Sequence, residues 1–255
     1  MILALRRLPA LLALLGAGIG VIAAVATLAV AAFLSVVPKV GALFALAQIA
    51  RTLPTGVVNW PVAIGVLAVA SMTYGNLAAL PQTNVIRLLA YSSIAQAGYF
   101  LLGVVGVGRT DLAVKALVIF AAAYAAMNLG AFAITAQVGR DLTAFTGIGF
   151  SAPWTGGAMV AFLLSLVGVP PLAGFVGKLL LFGAAIDAGY TWLAVAGILN
   201  SVLSLAVYLR IIVPMYQPAR GVSGAGLPVV VVWTIALLFT VGIGVGAQVL
   251  VGRLS

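Results

Sequence analysis

The chain has 255 residues, of which 65% are hydrophobic and only 6% are charged. This charge density is too low for a water-facing surface, so the composition excludes a soluble globular protein and indicates an integral membrane protein. The formal net charge is +9, but the basic residues are scattered singly along the chain, which argues against nucleic-acid binding.

The residue types also limit the chemistry. The sequence has no cysteine and no histidine, which excludes disulfides, iron–sulfur clusters, histidine-ligated haem and the usual zinc sites. Glutamate is absent too, and the three aspartates lie near predicted helix ends. A carboxylate pair for hydrolytic acid–base catalysis is therefore missing, and we expect no metal and no bound cofactor.

Long apolar runs recur along the chain, each able to cross a membrane core of about 30 Å. Lipid offers the backbone no hydrogen-bond partners, so these runs have to be helices. The sequence predicts an all-α, polytopic transmembrane helix bundle of about eight spans without a separate soluble domain. The spans are expected near residues 8–30, 33–50, 57–79, 85–106, 111–137, 153–187, 190–216 and 227–250.

The first stretch differs from the others, because residues 8–50 are about twice as long as one crossing needs and contain no polar turn. Arg6 and Arg7 before an apolar run resemble a signal anchor. No small-residue cleavage site is clear, so we expect a retained membrane segment. The arginines divide almost evenly between the two predicted membrane sides, so charge does not predict the orientation.

Lys39 lies well inside a predicted span, in the stretch FLSVVPKVGALFALA. A lysine at mid-membrane depth costs about 2.5 to 3.5 kcal/mol on insertion scales. Its side chain either bends towards the headgroups or has a function, and we favour a function. Pro38 is expected to bend this helix. Lys115 lies close to Asp111 at a predicted helix start, so bending towards the headgroups is the simpler interpretation there.

A polar patch, YSSIAQAGY at residues 91–99, lies early in the next-but-one span. Ser92, Ser93 and Gln96 either hydrogen-bond to neighbouring helices, the commonest use of such groups in membranes, or hold water in a path. Both interpretations stay open from the residues alone. The small residues of MNLGAFA at 127–133 predict close helix packing.

The stretch GVPPLAGFVGKLLLF at residues 168–182 combines helix-breaking residues with one lysine. Proline lacks an N–H and glycine permits sharp backbone departures, so the helix is expected to be broken at 168–174. A broken helix at membrane depth is tolerated only inside protein or beside a watery cavity. The residues expected to form the break are Gly168, Pro170, Pro171 and Gly174.

Lys178 follows this break and is nine residues from Asp187, roughly 13 Å along a helix. An ion pair along the helix is therefore excluded, and bending to the headgroups is difficult. We interpret Lys178 as the narrowest point of a hydrated proton path, where freed backbone groups supply polar contacts. A proton-exchanging amine has to be poorly hydrated and away from carboxylates. The alternative is a proline kink with a structural role.

Six stretches together resemble the antiporter-like membrane subunits of proton-pumping NADH:quinone oxidoreductase, respiratory complex I, and most closely its subunit N. The resemblance runs over about residues 32–216 and is weaker in the last span. Subunit M typically carries a glutamate where Lys178 stands, which favours N. The stretches are AFLSVVPKVG, GNLAALPQTNVIRLLAYSSIAQAGY, YAAMNLGAFA, DLTAFTGIG, FLLSLVGVPPLAGFVGKLLLF and LNSVLSLAVYLRIIVPMY.

This resemblance implies an antiporter-like fold of two inverted repeats, each with one broken helix. By it, Lys39 matches the central lysine of the eighth helix and Lys178 the lysine of the broken twelfth helix. Protons would move between such lysines along a polar axis, with Ser92, Ser93 and Gln96 beside it. NADH and quinone would be used by other subunits of the complex, so this chain is expected to be a non-catalytic membrane subunit that binds neither.

The chain departs from the family in two respects. Gln96 stands where subunit N commonly has a histidine, which removes a titratable group. Residues 1–31 form an apolar membrane segment that does not match the family, and residues 32–255 match only the C-terminal portion of the pattern. A split subunit, a truncated product and a misassigned start remain open.

The expected partners are the lipid bilayer, other membrane subunits of the respiratory complex and a separate polypeptide supplying the N-terminal half. The expected location is the bacterial inner (plasma) membrane. One alternative function is a subunit of a multi-subunit cation/proton antiporter or of a membrane-bound hydrogenase. Another is a non-conducting membrane scaffold in which the lysines only anchor helices.

Overall fold

The computed structural model describes residues 29–52, 59–218 and 227–251. Within these ranges the chain forms nine α-helices and one short 3-10 helix. In the same part of the chain, a single isolated β-bridge pairs Asn84 with Asp141. The helices are α1 Ala29–Thr52, α2 Trp60–Ala79, α3 Val85–Val105, α4 Leu112–Val138, α5 Ile148–Ser151, α6 Pro153–Val167, α7 Ala173–Asp187, α8 Thr191–Met215 and α9 Leu227–Val251, with the 3-10 helix at Leu142–Phe145.

Six of these helices, α1 to α4, α8 and α9, are long and apolar enough to cross a membrane. The predicted all-α transmembrane bundle is therefore confirmed. The predicted span 153–187 is two helices of 15 residues each, α6 and α7, as its prolines and glycines led us to expect. The span predicted at 8–30 lies almost wholly outside the described residues.

The boundary that we placed between residues 30 and 33 is wrong, because α1 runs without interruption from Ala29 to Thr52. No glycine, proline or polar residue marks a turn at this point in the sequence, and helical backbone is the only arrangement that satisfies its polar groups in lipid. The helix also continues through Pro38.

Two sets of connections define the two ends of the bundle. At the first end, Arg51 in the last turn of α1 and Arg109 in the connection after α3 line the same cavity. At the second end, the α2–α3 connection pairs with the segment after α4, where Val85 N donates to Arg140 O and Leu142 N donates to Thr83 O at 2.9 Å. The side chain of Asn84 caps α3 by accepting from the backbone N–H of Arg87 at 3.1 Å.

Helices α2 and α3 are antiparallel and touch at the level of their backbones. A Cβ added to Gly75 would lie 2.5 Å from Ala95 N, and one added to Gly98 would lie 2.6 Å from Ala68 O. Small residues that let backbones approach closely drive helix association in membranes. The contact places α3, the most buried of the six long helices, between the others, where its side chains face several neighbours.

Candidate functional site

The break between α6 and α7 leaves two backbone carbonyls without helical donors. Helix α6 ends at Val167, and Gly168 takes a left-handed φ of +97° that favours glycine. In a continuous helix, Leu166 O and Val167 O would accept from the N–H groups of residues 170 and 171. Both of those residues are proline, and proline has no N–H. The double proline therefore leaves two acceptors available for other donors.

Lys178 uses one of these carbonyls. Its side chain is 2% exposed, and its Nζ donates to Val167 O at 2.9 Å and to Ser201 Oγ at 3.2 Å. The same Nζ lies 3.8 Å from the ring centroid of Tyr99. The Tyr99 hydroxyl in turn hydrogen-bonds to Ser201 Oγ at 2.9 Å and donates to Gly197 O at 3.1 Å. Lys178 is thus held by α6, α8 and α3 through neutral groups.

Gln96 uses the other freed carbonyl. Its Nε2 donates to Leu166 O at 3.1 Å and to the Tyr208 hydroxyl at 3.5 Å. The Tyr208 hydroxyl also hydrogen-bonds to Ser92 Oγ. All of these side chains are buried. Gln96 therefore connects the helix break to Tyr208 of α8 and, through Tyr208, to Ser92, which lies one turn before Gln96 on α3.

Lys39 is half-buried on α1 and contacts the neighbouring serine of α3. Its Nζ donates to both the carbonyl oxygen and the hydroxyl of Ser93, and it lies 3.5 Å from the Tyr124 hydroxyl. The Tyr124 hydroxyl is 2.8 Å from Ser93 Oγ and donates to Ser35 O at 3.0 Å. Ser35 Oγ also accepts from Asn128 Nδ2, so α1, α3 and α4 meet at this lysine.

Ser92 and Ser93 point to different helices because successive helical residues are about 100° apart around the axis. Ser93 faces α1 and α4, whereas Ser92 faces α8. Three groups of contacting polar side chains therefore lie along α3: one around Lys39, one around Tyr208 and one around Lys178. We call this set the polar row: Lys39, Tyr124, Ser93, Ser92, Tyr208, Gln96, Lys178, Ser201 and Tyr99.

Of the five side chains that the sequence singled out for the path, Lys39 contacts Ser93, and Ser92 and Gln96 are linked through Tyr208. The contacts of Lys178 are with Val167, Ser201 and Tyr99. Gly168, Pro170 and Pro171 lie in the break, but Gly174 lies in the first turn of α7. Its inclusion in the break was wrong, because its role is close packing. A Cβ there would lie 1.7 Å from Ser165 O, and its N–H donates to Ser165 Oγ at 3.0 Å.

Sequence reasoning missed the three tyrosines and Ser201. Tyr99, Tyr124 and Tyr208 are almost completely buried, and a buried phenol hydroxyl usually requires a hydrogen-bond partner. That requirement was the available signal, since each tyrosine lies well inside a predicted apolar span. Ser201 follows Asn200 in α8, and Asn200 makes a separate contact by accepting from Asn76 Nδ2 on α2 at 3.3 Å.

Known proteins resemble this chain over much of its length. Residues 21–204 match the family described as NADH:quinone oxidoreductase/Mrp antiporter, TM. The chain belongs to this family. NADH-quinone oxidoreductase subunit N 1 of Streptomyces griseus is 43% identical over 225 residues, covering 85% of this chain and 48% of the relative. Subunit N of a Mycobacterium species is 44% identical over 188 residues, covering 73% and 40%.

Two solved structures have a fold similar to that of this chain. A chain of respiratory complex I from Thermus thermophilus matches with a TM-score of 0.65 and 34% identity, covering 72% of this chain and 43% of that one. A chain of the Mrp complex from a Dietzia species matches with a TM-score of 0.73 and 24% identity, covering 86% and 50%, which is a likeness of fold alone. The resemblance to subunit N is confirmed, and this chain spans about half or less of the length of its relatives.

Proposed function

We propose that this chain is the C-terminal, proton-translocating portion of a subunit N-like protein of NADH:quinone oxidoreductase in a bacterial plasma membrane. The names and organisms of its relatives support this proposal. The chain spans about half or less of their length. In this proposal it works with other membrane subunits and with a polypeptide that supplies the N-terminal half. Quinone reduction in those subunits supplies the energy.

The single observation that carries the proposal is the polar row itself. A lysine 2% exposed to solvent and held only by neutral groups is a costly arrangement in a membrane protein. Ionisable residues inside spans mark ion or proton pathways by default. The second lysine, Lys39, lies at the other end of the same row. A scaffold would need neither of the two amines at this depth.

The members of the row have different chemical capacities. Nζ of Lys39 or Lys178 can lose a proton and regain one. The hydroxyls of Ser92, Ser93 and Tyr208 can each donate one proton while accepting another, which is the requirement for relaying a proton. The amide of Gln96 orients Tyr208 and binds the freed Leu166 O, so it positions the relay. Lys178 is placed at the helix break by Val167 O.

The proposal is tested by measuring the rate of proton translocation by the assembled complex carrying Lys178→Met or Lys178→Arg. We expect both variants to lower the proton flux by about 100-fold or more, within the range that a positioned proton-transfer group contributes. Arginine keeps the charge but stays protonated. Normal flux in Lys178→Met, or restored flux in Lys178→Arg, would favour the scaffold interpretation, in which only the charge or the packing matters.

Leu179→Met is the matched control, because Leu179 is the next residue on α7 and is 50% exposed. It should leave proton flux and assembly unchanged. Lys39→Met should lower the flux in the same direction as Lys178→Met. The fold likeness to the Mrp complex favours cation/proton antiport as the second candidate. Flux that requires sodium would support antiport over quinone-coupled translocation.

A further inference from the structure

A basic cavity opens at the first end of the bundle, away from the polar row. Its volume is about 960 Å³. Three basic side chains and one carboxylate give it an excess of two positive charges. It is lined by Arg51, Gly108, Arg109, Thr110, Asp111, Val114 and Lys115.

The guanidinium of Arg109 is placed by an aromatic ring. Its Cζ lies 5.3 Å from the ring centroid of Tyr190, in the connection that leads from α7 to α8. Arg51 comes from the end of α1 and Lys115 from the first turns of α4. Arg51, Arg109 and Lys115 therefore line one cavity from three different parts of the chain. The cavity lies at the end of the bundle, where the helices leave the membrane core. A phosphate group is the anion for which such a set is suited.

An apolar groove begins one turn deeper on the same face of α4. It has a volume of about 600 Å³ and is lined by Val118, Ile119 and Ala122 of α4 and by Leu238, Phe239, Gly242, Ile243 and Gly246 of α9. Val118, Ile119 and Ala122 are three, four and seven residues after Lys115, so they lie on the same helix face as that lysine. The α4 side of the groove extends about 10 Å from Lys115 towards the membrane centre.

Two glycines keep this groove open. A Cβ added to Gly242 or to Gly246 would meet nothing within 4 Å. These glycines are not required for close helix contact. Because they have no side chains, the groove beside α4 stays unfilled at their positions. A basic cavity next to an apolar groove on the same helix matches a molecule that has an anionic head and a hydrocarbon chain.

We propose that this surface binds an anionic phospholipid, with its phosphate among Arg51, Arg109 and Lys115 and one acyl chain between α4 and α9. Charge complementarity selects this occupant, because a helix of a partner subunit would not require the cations at the mouth of the groove. The site is independent of the proton relay, so its test does not depend on the function proposed above.

The test is native mass spectrometry of the full chain in detergent, titrated with phosphatidylglycerol, phosphatidylcholine or inorganic phosphate. We expect wild type to retain phosphatidylglycerol in preference to phosphatidylcholine and to retain inorganic phosphate poorly. Arg109→Gln with Lys115→Gln should weaken phosphatidylglycerol binding by about fivefold for each charge removed. Arg87→Gln, an exposed arginine at the second end, is the matched control and should bind as wild type does.

A second pair of variants tests the acyl chain separately. Gly242→Leu places a side chain in the groove at a position where an added Cβ meets nothing within 4 Å. It should weaken binding of long-chain phosphatidylglycerol but not of a short-chain form. Gly157→Leu, at another glycine with nothing within 4 Å of an added Cβ, is its control. The proposal is overturned if wild type and the double variant retain phosphatidylglycerol equally. It is also overturned if Gly242→Leu binds the long-chain lipid as wild type does, since a partner helix would then be the better occupant.

Discussion

Lys178 and Lys39 show two ways of placing an amine inside a membrane. Lys178 follows a broken helix and donates to a carbonyl that the break itself releases, Val167 O. Lys39 lies in a helix with no break and donates to the carbonyl and hydroxyl of Ser93 on the neighbouring helix. The first site depends on a carbonyl released by the break, with further contacts from α8 and α3. The second depends on how α1, α3 and α4 pack.

The two sites also differ in exposure and in their aromatic neighbours. Lys178 is almost fully buried and Lys39 is half-buried. The ring centroid of Tyr99 is 3.8 Å from Lys178 Nζ, but that of Tyr124 is 5.4 Å from Lys39 Nζ. Changes near the break should therefore have larger effects than equivalent changes near Lys39.

The largest effect is expected when the packing of the broken helix is disturbed. Gly174→Ala should destabilise the protein by about 3 kcal/mol, because overpacking forces the backbone to shift and the new Cβ would lie 1.7 Å from Ser165 O. Gly41→Ala on α1, where an added Cβ meets nothing within 4 Å, should be neutral or slightly stabilising. Denaturant unfolding in detergent measures both, and equal stabilities would contradict the expected difference.

A smaller effect is expected from the aromatic rings. Replacing Tyr99 with Phe keeps the ring, and replacing it with Leu removes the ring. The unfolding free energies of these two variants should differ by about 2 kcal/mol, the contribution of a desolvated cation, here Lys178, above an aromatic face. At Tyr124, the cation–π contribution to the difference between the Phe and Leu variants should be only about 0.5 kcal/mol. The reason is that Lys39 Nζ lies farther from the Tyr124 ring than Lys178 Nζ lies from the Tyr99 ring. A larger difference at Tyr124 than at Tyr99 would reverse the comparison. Unfolding free energies provide the measurement.

Removing one hydroxyl from each site should have a still smaller effect. Ser201→Ala leaves Lys178 with one oxygen acceptor and should cost about 1.5 kcal/mol, near the upper end for interhelical hydrogen bonds. Ser93→Ala leaves Lys39 with the Ser93 carbonyl and Tyr124 and should cost about 0.6 kcal/mol. The unfolding free energies of the two variants, each with its lysine intact and with it replaced by methionine, isolate the two contacts. A coupling energy that is greater at Ser93 would contradict this ranking.

Gln96 lies between the two sites and should be the most tolerant position when the replacement can still donate a hydrogen bond. Gln96→His can donate to Leu166 O and should preserve proton flux in the assembled complex. Gln96→Leu removes the donor for both Leu166 O and Tyr208 and should lower the flux. Equal flux in the two variants would show that the amide does not position Tyr208.

Much of this arrangement could be predicted from the sequence, because its signals are local. The double proline and Gly168 indicate the break, and a lysine nine residues from the nearest charged helix end indicates a buried amine. The serines and Gln96 stood out as polar groups within an apolar span. The partners could not be predicted in the same way. Val167 O becomes an acceptor only when the chain turns, and Tyr208 and Ser201 reach the row from a helix more than 100 residues after Ser92.

The missed residues have a common physical reason. Tyrosine counts as apolar in a hydropathy pattern, so its hydroxyl gives no signal until the neighbouring helix is known. Helix pairing in lipid depends on small residues and shape, and a single sequence contains this information only in part. The separation predicted at 30–33 was wrong because residues 30–33 contain no local signal that ends a helix.

The backbone contact between α2 and α3 determines which parts of the row can move. Because Gly75 and Gly98 leave no space between these two helices, α3 cannot slide or rotate against α2 without a clash. The positions of Ser92, Ser93 and Gln96 relative to α2 are therefore fixed. Any rearrangement during a transport cycle therefore has to come from the flexible lysine side chains and from the helices that do not belong to the α2–α3 pair. Both amines would move relative to a stationary α3.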